Sequence, residues 1–446
     1  MERRSFLTSA ATGFALTTLP DWFSARAEAA EAEAQAARPR RVAANDKIRI
    51  GLIGAGGSKG GFRQGLGDAR NIASRPGVEC VAVCDVDLKH LQEASEVFEG
   101  SKKYVDFRYL LDRTDIDAVV IGTPDHWHAL NLIHTVEAGK DSYCEKPISH
   151  NFVEARSMAN AVAYHKKIVQ VGTWQRSGKE FTDAISFVRA GKLGSKIVMA
   201  RAWRTDGSKV GNDRPSAVPA SLDYDMWIGP AKMVPYKSNH VHGNWRWFMN
   251  TGTGMTGDWG VHMLDIALLG LSPNNEDLVM PTSVSAYGGK LAYPTDDRTA
   301  PDTVEAIFKF ENPDVVMTWS TGRDYANRPD CGVEWVGADG RCVRCWRGGW
   351  SVHEANGEPM DKEESPAVND HWQNWLDGVR TRQQTRSSLA SMAKTTMVCH
   401  MANIAYLSGE TIRFDRSKMD LVGKAGKNTT SYFREYRKPY TLPIYK

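Results

Sequence analysis

The chain has 446 residues, enough for two domains and a large core. Its net charge is only +3, with acids and bases mixed throughout, so nothing points to a nucleic-acid surface. Hydrophobic residues make up 41%, and no long unbroken apolar run follows the N-terminus, which argues against a membrane span in the mature protein.

The N-terminus reads as an address. Arg3-Arg4-Ser5-Phe6-Leu7 opens a weakly apolar stretch to Leu19, and Ala25-Arg26-Ala27 resembles a small-residue cleavage site. Twin arginines followed by Phe-Leu fit a twin-arginine export signal over residues 1–27, so the expected location is periplasmic or secreted. Residues 28–46, rich in Ala, Glu and Arg, read as a linker or arm.

Residues 48–53 read as a short buried strand, followed at once by Gly54-Ala55-Gly56-Gly57-Ser58-Lys59-Gly60-Gly61 and a helix-like stretch. Strand, glycine-rich turn and helix start form a cradle for a dinucleotide pyrophosphate, with Gly54, Gly56, Gly57 and Ser58 as its contacts. Lys59 stands where the usual spacing has a third glycine. Residues 78–85 read as the second strand, ending on Asp85, where this fold needs a carboxylate for the ribose hydroxyls. That acid would repel a 2′-phosphate and so favours NAD, although nearby Lys89 leaves NADP open. A third buried strand breaks at Thr123-Pro124, with His126, Trp127 and His128 expected on the loop beyond it. A helix over residues 129–138 runs to Gly139, and a further strand closes in Glu145-Lys146-Pro147. Alternating strands and helices predict a parallel sheet with crossover helices over residues 47–172.

From about Val171 the alternation loosens. Helices are expected at residues 181–190, 368–381 and 388–408. Strands are expected at 197–203, 284–287, 303–310, 315–319 and 332–336, and a long loop carries residues 223–230. Many strands with few intervening helices predict a mostly antiparallel open sheet in an α/β domain over residues 173–446. Residues 261–269 suggest a buried helix, on which Asp258 and His262 would share a face. A carboxylate beside an imidazole fixes its tautomer and raises its pKa; a capping Asp and a core histidine are the plain alternative. Seven cysteines cannot all pair within one chain. Cys342 and Cys345 lie on a strand-like segment that points them to opposite faces, so no metal site is assigned there or elsewhere.

This ordered set is similar to the Gfo/Idh/MocA family of glucose–fructose oxidoreductases and inositol dehydrogenases, over nearly everything from Lys47 to Asp415. The set comprises the glycine-rich turn, Thr123-Pro124 with His128, Ala138-Gly139-Lys140, Glu145-Lys146-Pro147 and Asp258-x-x-x-His262. Thr173-Trp174-Gln175-Arg176 and Asn244-Trp245-Arg246-Trp247-Phe248 further resemble a secreted bacterial branch of it. The resemblance implies a Rossmann domain, then an α/β domain whose open sheet joins a homo-oligomer. It implies Lys146 near the nicotinamide and the reacting hydroxyl, His262 as acid–base partner and Asp258 in the same hydrogen-bond network. Thr123, Pro124, His128 and Glu145 would hold the cofactor. Trp174, Gln175, Arg176, Trp245 and Arg246 would join Asp258 and His262 around a sugar substrate, and Trp203 and Trp247 add aromatic faces for stacking. The expected activity is an exported carbohydrate oxidoreductase with tightly held NAD or NADP. Beyond the cytoplasm no nucleotide pool exists for exchange, so the cofactor would be regenerated in place. An NAD-dependent glycosidase working by transient oxidation, and a silent sugar-binding protein, are the alternatives.

Overall fold

The computed structural model describes residues 46–57, 63–205, 209–323, 329–360 and 370–445. The expected export signal, nearly all of the arm, and Ser58 lie outside the described residues. Six strands form the first sheet: β1 (Ile48–Ile53), β2 (Val78–Cys84), β3 (Lys102–Tyr104), β4 (Ala118–Ile121), β5 (Asp141–Cys144) and β6 (Val169–Val171). Their order is β3-β2-β1-β4-β5-β6, and every pair is parallel. β4 is buried along its whole length and β1 almost so, because crossover helices cover both faces; hence their unbroken apolar runs. The strand order reverses between β1 and β4, which opens a crevice beyond their C-terminal ends. Asp87, Asp106 and Asn151 start the helices that follow them by accepting a backbone amide on the side chain. One expectation is corrected here. The helix after β4 spans Asp125–Glu137, so His126, Trp127 and His128 occupy its first turn rather than a loop. Pro124 supplies a helix-compatible φ of −60° just before it, and Asp125 places an acid in the first turn.

The second sheet, among the described residues, has nine strands. They are β7 (Ile197–Thr205), β8 (Ser283–Gly289), β9 (Thr303–Phe310), β10 (Val315–Gly322), β11 (Cys331–Gly337), β12 (Cys342–Trp346), β13 (Gly349–His353), β14 (Ile412–Asp415) and β15 (Asp420–Leu421). Their order is β13-β12-β11-β7-β10-β9-β8-β14-β15, antiparallel except for β7 beside β10. In β9 buried and exposed residues alternate strictly, so one face is packed and the other open. The packed face meets the helices Lys179–Arg189, Gly260–Leu271 and Leu389–Ser408. Gly260–Leu271 is buried on every side, as its near-continuous apolar sequence requires. All seven cysteines are free thiols, and Cys342 and Cys345 differ in burial as opposite strand faces would.

Two segments cross between these layers. The helix His371–Thr381, late in the chain, buries Trp375, Leu376 and Val379 in the core under the first sheet. The long loop expected to carry residues 223–230 falls within residues 209–253, which build a small core of their own around Leu222, Tyr224, Trp227, Ile228 and Trp245. They fasten to the end of β2 through Leu88 N–H donating to Ser221 and Asp223 N–H donating to Val86. No helix among the described residues is long and apolar enough to cross a membrane.

Candidate active site

A cleft opens at the strand-order reversal, between the first sheet and the 209–253 segment. Gly54 and Gly56 line it with φ of +79° and +66°, a region where side chains are strained. A Cβ on Gly65 would overlap the Gly54 carbonyl oxygen, so turn and helix touch backbone to backbone. Asp85 closes this end: its Oδ2 accepts from Gly56 N–H at 3.0 Å and its Oδ1 from Asp87 N–H at 2.9 Å. A glycine-only notch and a terminal carboxylate fit a dinucleotide. Thr123, Pro124, Trp245 and Arg246 line the same cleft.

At the other end three charged side chains converge. Lys146 Nζ donates to Asp258 Oδ1 at 2.8 Å and to the Asp258 carbonyl at 3.0 Å; Arg246 Nε donates to the same Oδ1 at 3.2 Å. Burial works to raise the Asp258 pKa, but Lys146 and Arg246 overcome it and hold the carboxyl below its usual range. The continuous helix expected through Asp258 and His262 is in fact two, Gly254–Asp258 and Gly260–Leu271, meeting at Trp259. The interruption leaves the Asp258 carbonyl outside the helical ladder, where Lys146 takes it. His262 is also corrected. Burial, then the charges of Lys146 and Arg347, push its pKa well below the usual value, and its Nδ1 is buried without a partner. The ring is therefore neutral, the form that accepts a proton.

Asp125 sits beneath this group, accepting from Thr253 Oγ1 at 2.8 Å. Burial and then the Asp258 charge push its carboxyl up to about 8, from 3.8 when unfolded. A folded pKa raised in this way contributes stability below about pH 4 that is lost as pH climbs to about 8. We expect Asp125→Asn, which cannot ionise, to gain on the wild type across that window in urea unfolding. A stability difference independent of pH would contradict this.

Several expected contacts lie elsewhere. His128 faces two backbone carbonyls, Nδ1 to Pro147 at 2.7 Å and Nε2 to Thr123 at 2.6 Å, so both ring nitrogens brace the cleft wall. Glu145 is turned back from the cleft against Asp68; burial and that second carboxyl raise its pKa. Arg176 is fully buried in a two-pronged pair with Asp265 at 2.6 and 2.7 Å, which removes it from substrate contact. Trp203 and Trp247 are core residues. Gln175 is buried, with its Oε1 accepting from Arg347 Nη2 at 3.3 Å. Trp174 keeps 37% of its surface exposed, under the Arg347 guanidinium at 4.7 Å. The same guanidinium covers one ring system more, Trp259, at 4.3 Å, while Arg204 stacks on Trp259 at 3.8 Å. Trp259, Arg204 and Arg347 escaped the sequence reading, because they come from three distant segments with no shared motif.

A family profile described as "Oxidoreductase family, NAD-binding Rossmann fold" matches residues 48–173. A second, "Oxidoreductase family, C-terminal alpha/beta domain", matches residues 192–288. The chain belongs to the Gfo/Idh/MocA family. Within this family the chain is similar to inositol 2-dehydrogenase 4 of Saccharopolyspora erythraea, 32% identical over 169 residues, which are 37% of this chain and 48% of that one. It is also similar to a glycosyl hydrolase family 109 protein of Shewanella pealeana, 28% identical over 163 residues, 34% of each chain. The chain thus spans about half or less of the length of these relatives. Its fold matches aldose–aldose oxidoreductase of Caulobacter crescentus with a TM-score of 0.61 at 17% identity, over 82% of this chain and all of that one. The first sheet lies within the stretch matched by the NAD-binding Rossmann profile.

Proposed function

We propose that the protein moves a hydride between a hydroxyl carbon of a sugar or cyclic polyol and nicotinamide held in the cleft. The observation that carries this reading is the meeting of Lys146 and Asp258, from opposite halves of the chain, at 2.8 Å beside a neutral His262. NAD, when bound, supplies the hydride acceptor. Oxidising an alcohol requires a base within reach of the hydroxyl proton and a cation for the developing oxyanion. His262 is the base and Lys146 the cation, with Asp258 fixing the ammonium. The named activities of the inositol dehydrogenase and aldose–aldose oxidoreductase relatives support a polyol or sugar as substrate. Trp174, which keeps 37% of its surface exposed, supplies a flat apolar surface for a pyranose ring.

Tight retention of the cofactor belongs to this proposal, since residues 209–253 cover the cleft with Trp227, His242 and Trp245. Export by the twin-arginine route belongs to it too, resting on Arg3-Arg4-Ser5-Phe6-Leu7. Oligomerisation through the open sheet face is supported by the exposure of Ile307 and Val316 there. A second reading, transient oxidation followed by glycoside elimination, is favoured by the similarity to the glycosyl hydrolase.

Nicotinamide absorbance and aglycone release, followed together on sugars, cyclitols and aryl glycosides, separate the readings. Lasting reduction reversed by a second carbonyl compound supports the oxidoreductase; aglycone release without net reduction supports the second reading; silence in both channels overturns both. Asp85→Ser is expected to weaken NAD binding roughly 10- to 100-fold, the worth of a charge-assisted hydrogen bond, and to narrow the gap to NADP. Calorimetric titration with both nucleotides checks it, and an unchanged NAD affinity refutes the ribose role of Asp85.

A further inference from the structure

One set of donors stands apart from the hydride chemistry. Asp87 starts the helix Leu88–Val97 by accepting Lys89 N–H on Oδ1 at 2.9 Å. Its other oxygen, Oδ2, faces His242 Nε2 at 3.0 Å. His90 lies three residues after Asp87, and its ring centroid is 4.3 Å from that of His242, tilted by 55°. One ligand-type atom from each of the three residues lies within 4.8 Å of the others. Asp87 and His90 are buried, at 5% and 7% exposure. We propose that Asp87, His90 and His242 hold a divalent transition-metal ion at the Asp85 end of the cleft, clasping the 209–253 segment onto the nucleotide domain.

The donor chemistry selects the class of ion. Two imidazoles and one carboxylate suit zinc, cobalt or nickel, and leave positions for water, whereas magnesium and calcium prefer oxygen ligands. A further carboxylate, Asp85, approaches His90 Nδ1 at 3.8 Å and adds negative charge beside the donors.

Ligands around a tetrahedral zinc sit roughly 3.4 Å apart, from bonds of about 2.1 Å. The three donors, within 4.8 Å of one another, therefore draw in on binding. His242 is the most exposed of the three, at 31% of its side chain. The ion would act by position: it joins side chains 155 residues apart across the mouth of the cleft. It takes no part in the reaction, so the assignment stands or falls separately from the proposed activity.

Cobalt titrated into tag-free, chelator-treated full-length protein tests the site, read by visible ligand-field absorption and by metal analysis. One cobalt per chain, displaced by zinc, is expected. His242→Ala should lose the absorption. Asp87→Asn keeps a good helix-starting side chain while removing the charge, and should weaken binding at least tenfold in a chain whose thermal melt is unchanged. Absence of saturable binding by the wild type, or equal binding by both variants, overturns the proposal and leaves a plain Asp–His hydrogen bond with a stacked ring.

Discussion

Lys146→Ala is expected to lower kcat by roughly 100- to 1,000-fold while the nucleotide stays bound, the cost of removing one preorganised charge from a developing oxyanion. Lys146 contacts Asp258 through both its carboxylate and its carbonyl, and the Asp85 end of the cleft is built without it. Binding and turnover should therefore separate: unchanged affinity by titration, and a collapse in the single-turnover rate. Its loss also leaves the Asp258 carboxylate with Arg246 at 3.2 Å as its remaining cation, so some loss of stability should accompany the loss of rate. Lys146→Arg should recover part of the rate, since the charge returns in a bulkier form. A Lys146→Ala enzyme with unaltered kcat would remove the lysine from the chemistry.

Arg176→Met is expected to cost about 3–5 kcal/mol of stability, because it strands a buried carboxylate. The Arg176 and Asp265 side chains are 0% and 1% exposed, and their two hydrogen bonds are joined by a third from Thr395 Oγ1 at 2.7 Å. Arg176 Nη1 also donates to the Arg386 carbonyl at 3.0 Å, tying three segments together. Urea unfolding should show the loss, and folded protein should keep its KM. A raised KM with normal stability would return Arg176 to the substrate site.

The contrast between these residues shows what the sequence could convey. β1, β9 and the helix Gly260–Leu271 were legible because burial on both faces, on one face or all round leaves a distinct apolar rhythm over six or more residues. The cradle was legible because glycines next to a strand have one common physical cause. Arg176 was not legible, because its partner Asp265 lies 89 residues away and a buried arginine looks in sequence like an exposed one. The Asp258–His262 spacing promised a shared helical face, yet the chain breaks at Trp259, and spacing carries no information about such a break. Asp87 and His90 lie three apart at a helix start, but nothing local ties either to His242, 155 residues from Asp87. Local periodicity reaches the elements; side chains that meet through topology stay hidden until the fold is known.

The helix His371–Thr381 has a consequence for how this architecture can be taken apart. It fills the space under the first sheet with Trp375, Leu376 and Val379, and Trp372 Nε1 donates to Asp68 Oδ1 at 3.1 Å on the helix that follows the glycine turn. A fragment cut after β6 would be born with an open wound along that flank, its indole-shaped socket facing water. Excision or domain-shuffling experiments on this scaffold should therefore carry residues 370–382 along with the nucleotide half.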